Sequence, residues 1–223
     1  MSKSPHMISV IIPTFNRAEM VCRCVQSVLD AKWPALEVIV VDDCSRDKTA
    51  EILRQLPLPD LRIIRHPVNR GKGAAIRTAL EAATGDAIII QDADREYDPG
   101  DYPALLEPLI SGKSHVVYGV RTFEGQKALL RWGNNLLTSL TNLLYGVHIH
   151  DMETCYKVMT REIAMKLELE CNRFDLEPEI TAKIIRLGEK IVEVPISYHP
   201  REAKKLSPWR DGWPAVQALL RYR

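Results

Sequence analysis

Aromatic side chains are scarce in this 223-residue chain, at 6% with only three Phe, and no long apolar run compensates for them. The longest stretch free of Asp, Glu, Lys and Arg runs from Trp132 to His150 and is broken by Asn134, Asn135, Thr138, Ser139, Thr141 and Asn142, so no membrane-spanning helix is read. The five cysteines are odd in number, contain no CxxC pair and follow an N-terminus without an apolar signal core. Structural disulfides are therefore excluded as a framework, and a reduced, cytoplasmic setting is expected. An excess of one charge is missing too: 30 basic against 29 acidic side chains give +1, which excludes wholesale electrostatic binding of nucleic acid. The sequence has no P-loop, no GxGxxG after a strand and no GxSxG. Cys155 has no recognisable partner either, so nucleophilic hydrolysis is disfavoured.

What is present is a chain that folds. With 46% hydrophobic and 26% charged residues it has the balance of a globular domain, and its length fits one domain with a short appendage. Short apolar runs at 8–12, 36–41, 61–65, 86–91 and 115–118 alternate with helical patterns over 17–31, 47–56, 71–85 and 101–110. Such alternation builds a parallel sheet with helices on both faces and a ligand crevice at the carboxyl ends of its strands. The rhythm then changes to an amphipathic helix within 129–147, a strand near 155–159, a helix over 177–187 and a strand over 190–197. Residues 198–223 hold Arg201, Lys204, Lys205, Arg210, Arg221 and Arg223 against Glu202 and Asp211. This basic end points to an anionic partner.

The polar motifs fall at the expected crevice. Asp92-Ala-Asp94 follows the most apolar strand, and side chains two apart on extended backbone point the same way. Paired carboxylates repel unless a cation lies between them, and Mg²⁺ or Mn²⁺ suits carboxylate with phosphate oxygens, Glu96 being a possible third ligand; a solvated acidic turn is the plain alternative. Asp42 and Asp43 close another strand, where carboxylates accept from ribose hydroxyls or a base N–H, while Asp47 fits a helix cap and leaves them free. Asn69-Arg-Gly-Lys-Gly73 opens a helix with backbone N–H groups and a cation suited to phosphate, or forms a flexible loop. His148-Ile-His150 lacks the further ligands that zinc needs.

In order and spacing, these pieces resemble the inverting family-two glycosyltransferases of the GT-A fold, and among them the dolichol- and polyprenyl-phosphate sugar synthases such as dolichol-phosphate mannosyltransferase. The pieces are Val10-Ile-Ile-Pro-Thr-Phe-Asn16, Val40-Val-Asp-Asp-Cys-Ser-Arg-Asp47, Asn69 to Ala74, Gln91-Asp-Ala-Asp94 and Tyr118-Gly-Val-Arg121. Asp151-Met-Glu-Thr-Cys-Tyr-Lys157, Phe174 to Glu179 and Val194 to Tyr198 with Arg201 complete them. Arg17 and Arg95 depart from the Glu and Leu that many relatives carry after the first-strand Asn and after the DxD.

The resemblance implies a mixed, mainly parallel α/β sheet with helices on both faces, a flexible lead over 1–7, a catalytic domain over 8–200 and a basic amphipathic tail over 201–223 on the acceptor and membrane side. It implies that Pro13, Thr14, Asn16, Asp42 and Asp43 hold the nucleoside of a UDP- or GDP-linked donor, with Lys72, Gly73, Asp92 and Ala93 completing that site. Asp92, Asp94 and Glu96 are the expected ligands for Mg²⁺ or Mn²⁺. Arg121 and Arg201, assisted by Lys204 or Lys205, are the expected phosphate-binding groups, and Asp94, Asp151, Arg121 and Arg201 the catalytic ones. The expected reaction moves a sugar to a polyprenyl phosphate at the cytoplasmic membrane face. Its ionised acceptor needs no base, whereas a hydroxyl acceptor would need one and Asp151 would supply it. A saccharide, small-molecule or protein hydroxyl as acceptor, or a non-catalytic accessory subunit, are the alternatives. Trp132 and Tyr145 on the long helix and Trp209, Trp213, Leu219, Leu220 and Tyr222 in the tail are candidates for interfacial contact, with packing against the sheet as the competing role.

Overall fold

The structure, a computed structural model, describes residues 7–56, 61–122, 128–173, 175–200 and 208–223, of which 128–130 and 208–211 by backbone alone. Seven strands form one sheet: β1 (Ile8–Thr14), β2 (Leu36–Asp42), β3 (Leu61–Arg65), β4 (Ala87–Ile90), β5 (Val116–Arg121), β6 (Lys157–Thr160) and β7 (Ile191–Ile196), in the order β3-β2-β1-β4-β6-β5-β7. β1 pairs in parallel with β2 and β4, β2 with β3, and β5 with β7. β6 runs antiparallel to β4 and β5, which makes the sheet mixed. The chain winds outward from β1 through β2 to β3 and then returns across β1 to β4. A crevice therefore opens at the carboxyl ends of β1 and β4, where the winding direction reverses.

All seven residues of β1 and all four of β4 are buried. Successive side chains on a strand face opposite ways, so both faces of the sheet are covered. Each fully buried isoleucine contributes about 1.5–3 kcal/mol, and the runs Ile11-Ile12 and Ile88-Ile89-Ile90 anchor strands whose ends carry charge. Helix α1 (Ala18–Asp30) buries Val21, Cys24, Val25 and Val28, one stripe at helical spacing. The remaining helices are α2 (Thr49–Arg54), α3 (Lys72–Ala82), α4 (Tyr102–Ile110), α5 (Ala128–Tyr145), α6 (Arg161–Lys166), α7 (Leu176–Arg186) and α8 (Pro208–Arg221).

Three features differ from the sequence reading. Met7, placed there in the flexible lead, exchanges backbone and side-chain hydrogen bonds with Asp86 just ahead of β1 and β4. The short helix α6 follows β6 directly, its start capped by the Thr160 hydroxyl accepting from the Ile163 N–H (3.4 Å). The tail does not stand apart: α8 buries Ala215, Ala218, Leu219 and Tyr222, and the Tyr145 hydroxyl of α5 donates to the Leu219 carbonyl (2.7 Å). Tyr145, Leu219 and Tyr222 thus pack inward, while Trp132, Leu136 and Leu143 on α5 and Trp213 and Leu220 on α8 are exposed. No helix among the described residues is long and apolar enough to cross a membrane.

Candidate functional site

The ends of β1 and β2 are laced together. Asp43 N–H donates to the Thr14 carbonyl (2.9 Å), Asn16 N–H to the Ser45 hydroxyl (2.9 Å), and Arg46 N–H to Asn16 Oδ1 (2.8 Å). Asn16 sits at φ 52°, a left-handed conformation that asparagine tolerates, and its side chain is spent on that turn. Asp47 accepts from the Thr49 N–H (3.0 Å) and the Ala18 N–H (3.3 Å), so one carboxylate caps the starts of α2 and α1. Burial pushes Asp47 up, but these hydrogen bonds and the Thr49 hydroxyl outweigh it and hold the carboxyl below its usual range.

Asp42 and Asp43 are not left free by that cap, contrary to the sequence reading. Asp42 Oδ1 accepts from the Ser45 N–H (2.9 Å) and Oδ2 pairs with Arg65 Nε (3.3 Å). Asp43 Oδ1 takes His66 Nδ1 (2.7 Å) and the Arg70 N–H (2.8 Å), and Oδ2 takes the Gly71 N–H (2.7 Å). His66 is fixed from its other side by the Thr78 hydroxyl (2.9 Å). Both carboxylates therefore shape the loops around the crevice.

The glycine-rich turn is likewise a packing device instead of an open phosphate cradle. Gly71 has φ +95° and a Cβ there would lie 2.2 Å from the Asn172 carbonyl oxygen; at Gly73 it would lie 2.2 Å from that of Cys171. The Gly73 N–H is donated to Asn172 O (2.9 Å). Lys72, between them, reaches across the crevice to Asp92 Oδ1 (2.9 Å) and Glu177 Oε1 (2.8 Å). Burial works against its charge, but the two carboxylates win and raise its pKa well above the ordinary lysine value. Lys72 is a fixed cation.

Beyond β4, Gln91 is buried and accepts from the hydroxyls of Tyr102 (3.0 Å) and Tyr156 (2.6 Å), which anchors the strand end. Asp92 and Asp94 then emerge partly exposed, with Ala93 buried between them. Both carboxylates lie close enough to Cys24 and Cys155 for their fields to add to burial in raising those thiols, so neither cysteine is poised as a nucleophile. Hard oxygen donors, partly exposed beside a fixed lysine, fit Mg²⁺ or Mn²⁺ shared with diphosphate oxygens. Glu96 departs from the expected trio. It is buried, and its Oε2 accepts from the Tyr198 hydroxyl (2.8 Å). Among the described residues no three His, Cys, Asp or Glu side chains converge as a metal site.

At the end of β5, Arg121 and Asp151, expected to act separately, form one buried pair. Arg121 Nε and a terminal nitrogen donate to the two Asp151 oxygens, both at 2.7 Å, and the Arg121 N–H adds a third bond (3.2 Å). The guanidinium also lies 5.3 Å from the centre of the Tyr198 ring. Asp151 has no exposed side-chain surface, and both its oxygens accept from Arg121.

Pro13 and Thr14 line the end of β1, with the Thr14 hydroxyl buried and without a hydrogen-bond partner. Arg201, Lys204 and Lys205 lie outside the described residues. Sequence reasoning missed Glu153, Lys157 and Glu177. Buried Lys157 donates to the carbonyls of Met152 (2.9 Å) and Thr154, and so moulds the loop that presents Glu153. Only a buried lysine inside an apolar run hinted at this.

A protein-family model described as glycosyl transferase family 2 matches residues 9–168. A low-salt glycan biosynthesis hexosyltransferase of Haloferax volcanii is 30% identical over 96% of this chain, which spans about half (53%) of that relative's length. A polyprenol monophosphomannose synthase of Mycolicibacterium smegmatis is 28% identical over 86% of this chain and 77% of its own. Glucosyl-3-phosphoglycerate synthase from Mycobacterium tuberculosis, solved with Mn²⁺, UDP-glucose and phosphoglyceric acid, superposes with a TM-score of 0.76 at 21% identity, covering 97% of this chain and 79% of that one. The expected mixed, mainly parallel α/β sheet of the GT-A class is the observed fold.

Proposed function

This chain belongs to glycosyl transferase family 2, and we propose that it transfers a hexosyl unit from a UDP- or GDP-linked donor to a polyprenyl phosphate at a membrane surface. The observation that carries the reading is the contrast at the crevice. Asp92 and Asp94 stay partly exposed at the β1/β4 edge, whereas Asp42, Asp43 and Asp151 are buried. A relative named as a polyprenol monophosphomannose synthase supports the acceptor class, and a neighbour of the same fold binding Mn²⁺ with UDP-glucose supports the donor class.

Asp92 and Asp94 would hold Mg²⁺ or Mn²⁺, which when bound neutralises charge on the departing nucleoside diphosphate. Lys72, kept cationic by Asp92 and Glu177, adds a positive charge on the same side. Pro13 and the unpartnered Thr14 hydroxyl face the nucleoside end of the crevice, with Asn16, Asp42 and Asp43 holding its walls in place. Arg121, locked by Asp151, is a preorganised charge for the acceptor side, and Arg201, Lys204 and Lys205 are the further candidates for that role that the sequence offers. A phosphate oxygen of the acceptor forms the bond to the anomeric carbon as the bond to the donor β-phosphate breaks, and the electron pair leaves with the nucleoside diphosphate. The acceptor is already ionised, so no proton is removed, and attack from the opposite side inverts the anomeric configuration. That agrees with an Asp151 that is buried and paired with Arg121.

The exposed apolar stripes on α5 and α8 are the surfaces assigned to the membrane in this reading. The test is incubation of the protein with Mn²⁺ or Mg²⁺, UDP- and GDP-hexoses and a short polyprenyl phosphate, followed by mass spectrometry. A glycolipid product with release of nucleoside diphosphate is expected. Turnover only with hydroxyl acceptors overturns the lipid-phosphate assignment, and absence of turnover with every donor overturns the enzymatic one.

A further inference from the structure

The mechanism above does not use Glu153, whose Oε1 is buried and has no hydrogen-bond partner. Leaving such a group unpaired is costly, so its retention needs a reason. The loop that carries it is rigid on every side. Lys157 Nζ holds the carbonyls before and after it, Met152 N–H donates to the Thr138 hydroxyl (3.2 Å), Asp151 N–H to Glu193 Oε1 (3.2 Å), and Cys155 N–H to the Tyr97 hydroxyl (3.0 Å).

The loop that carries it runs from Asp151, paired with Arg121, to Cys155, whose Sγ lies 3.6 Å from the Ile90 carbonyl oxygen at the end of β4, and Glu153 feels the charge of Arg121, Asp151 and Glu177, the last tied through Lys72 to Asp92. A donor whose diphosphate lies at Asp92 and Asp94, and whose anomeric carbon meets an acceptor near Arg121, brings its sugar ring toward this loop. Sugar hydroxyls are hydrogen-bond donors, and a carboxylate oxygen with no partner is the acceptor they lack. We infer that Glu153 reads the hydroxyls of the donor's sugar ring and is a specificity-determining residue of this enzyme. The inference rests on the glycosyltransferase reading of the site.

The same surroundings make the contact sensitive to pH. Burial, then Glu177, and to a lesser degree Asp151, push the Glu153 carboxyl up to about 7, while Lys157 and Arg121 act in the opposite sense. A carboxyl raised in the folded state adds stability below its unfolded value that is lost as pH rises through about 7. Wild-type protein should therefore lose thermal stability relative to Glu153→Gln as pH rises from 5 to 8, and gain sugar affinity over the same range as the carboxylate forms.

Calorimetric titration of the full chain with UDP and GDP, and then with the UDP- and GDP-hexoses, in the presence of Mn²⁺ tests the inference. Glu153→Leu is expected to leave affinity for the nucleoside diphosphate within about twofold and to weaken the nucleotide sugar by about tenfold or more. Glu153→Gln, whose amide oxygen still accepts, is expected to fall between, with neither variant melting below wild type at pH 8. Equal losses for both ligands, or none for either, overturn the inference, since the role would then be structural or absent. Intact sugar binding with lost turnover on a hydroxyl acceptor would make Glu153 a base and overturn it as well. Wild-type protein that binds the diphosphates but no nucleotide sugar overturns the parent reading, an outcome distinct from unchanged sugar binding in the variants.

Discussion

Asp42 and Asp43 end β2, and Asp92 and Asp94 follow β4, on the two strands that flank β1 at one edge of the sheet. In the first pair three carboxylate oxygens accept hydrogen bonds from Ser45, His66, Arg70 and Gly71, and the fourth, buried Asp42 Oδ2, faces Arg65 as an ion pair without a hydrogen bond. In the second pair both side chains keep exposed surface, Lys72 lies 2.9 Å from Asp92 Oδ1, and Asp94 Oδ1 accepts from the Glu96 N–H (3.3 Å). The difference separates two uses of the same chemistry. Buried carboxylates that satisfy backbone N–H groups set the shape of a crevice, whereas carboxylates at its exposed edge can meet charge that arrives with a ligand.

Substitution at each pair should break the molecule in different ways. Asp94→Ala is expected to lower turnover by about 10⁴-fold, ~5.5 kcal/mol of barrier, while its unfolding midpoint stays within a degree or two of wild type. Nucleoside diphosphate release checks the first and calorimetry the second. Retained turnover would remove Asp94 from the reaction and leave the contrast without content.

Arg121 and Asp151 sharpen the comparison on the acceptor side, because there the internal pairing is between charges. Arg121→Met leaves a carboxylate buried with no counter-ion, and a loss of about 3–5 kcal/mol in denaturant-derived stability is expected. Arg121→Met with Asp151→Leu should recover most of that loss yet remain inactive. Recovery of both stability and activity would reduce the pair to a structural prop.

For Asp43→Asn a smaller effect is expected, about 2 kcal/mol of stability, because the amide keeps one acceptor oxygen for three donors and sets its NH₂ against the rest. Nucleotide affinity should fall with it, since the loop from Asn69 to Gly71 hangs on this side chain. A Kd for the diphosphate that does not change would show that the loop shapes no part of the nucleotide site.

Much of this was open to inspection in the sequence, and the failures have physical causes. Runs such as Ile88-Ile89-Ile90 announce buried strands by continuity alone, so all seven strands were located. The direction of β6 was not legible in its four residues, because it depends on how the chain returns after α5. Helix α8 was obscured by Pro208, Gly212 and Pro214, each of which argues against a helix in isolation although Pro208 merely occupies its first turn. The site shows the same division. An Asp-Ala-Asp after an apolar strand marks itself, but Arg121 meets Asp151 across 30 residues and Lys72 meets Glu177 across 105, so only the fold reveals that these charges are spoken for. Glu153 stands inside the Asp151–Lys157 piece of the resemblance, but nothing in the sequence around it shows that one of its oxygens is buried without a partner.

The outer faces of α5 and α8 offer the mildest test, and it extends the contrast from charge to apolar surface. On α5, Leu137, Leu140 and Leu144 pack inward with Met152 and Leu219, while Trp132, Leu136 and Leu143, spaced by four and seven, form a separate outward stripe. On α8, Leu219 is buried and its neighbour Leu220 exposed, with Trp213 one heptad before it on the same side. If the outward stripe meets lipid, Leu143→Ser should weaken co-sedimentation with anionic vesicles by about fivefold, ~1 kcal/mol for the partial transfer of one leucine. Leu143 is 81% exposed, so its replacement should leave unfolding and soluble-donor binding unchanged. Loss of turnover with polyprenyl phosphate in vesicles but not in detergent would tie the stripe to acceptor delivery, and equal vesicle binding by the variant would show that the apolar surface serves something other than a membrane.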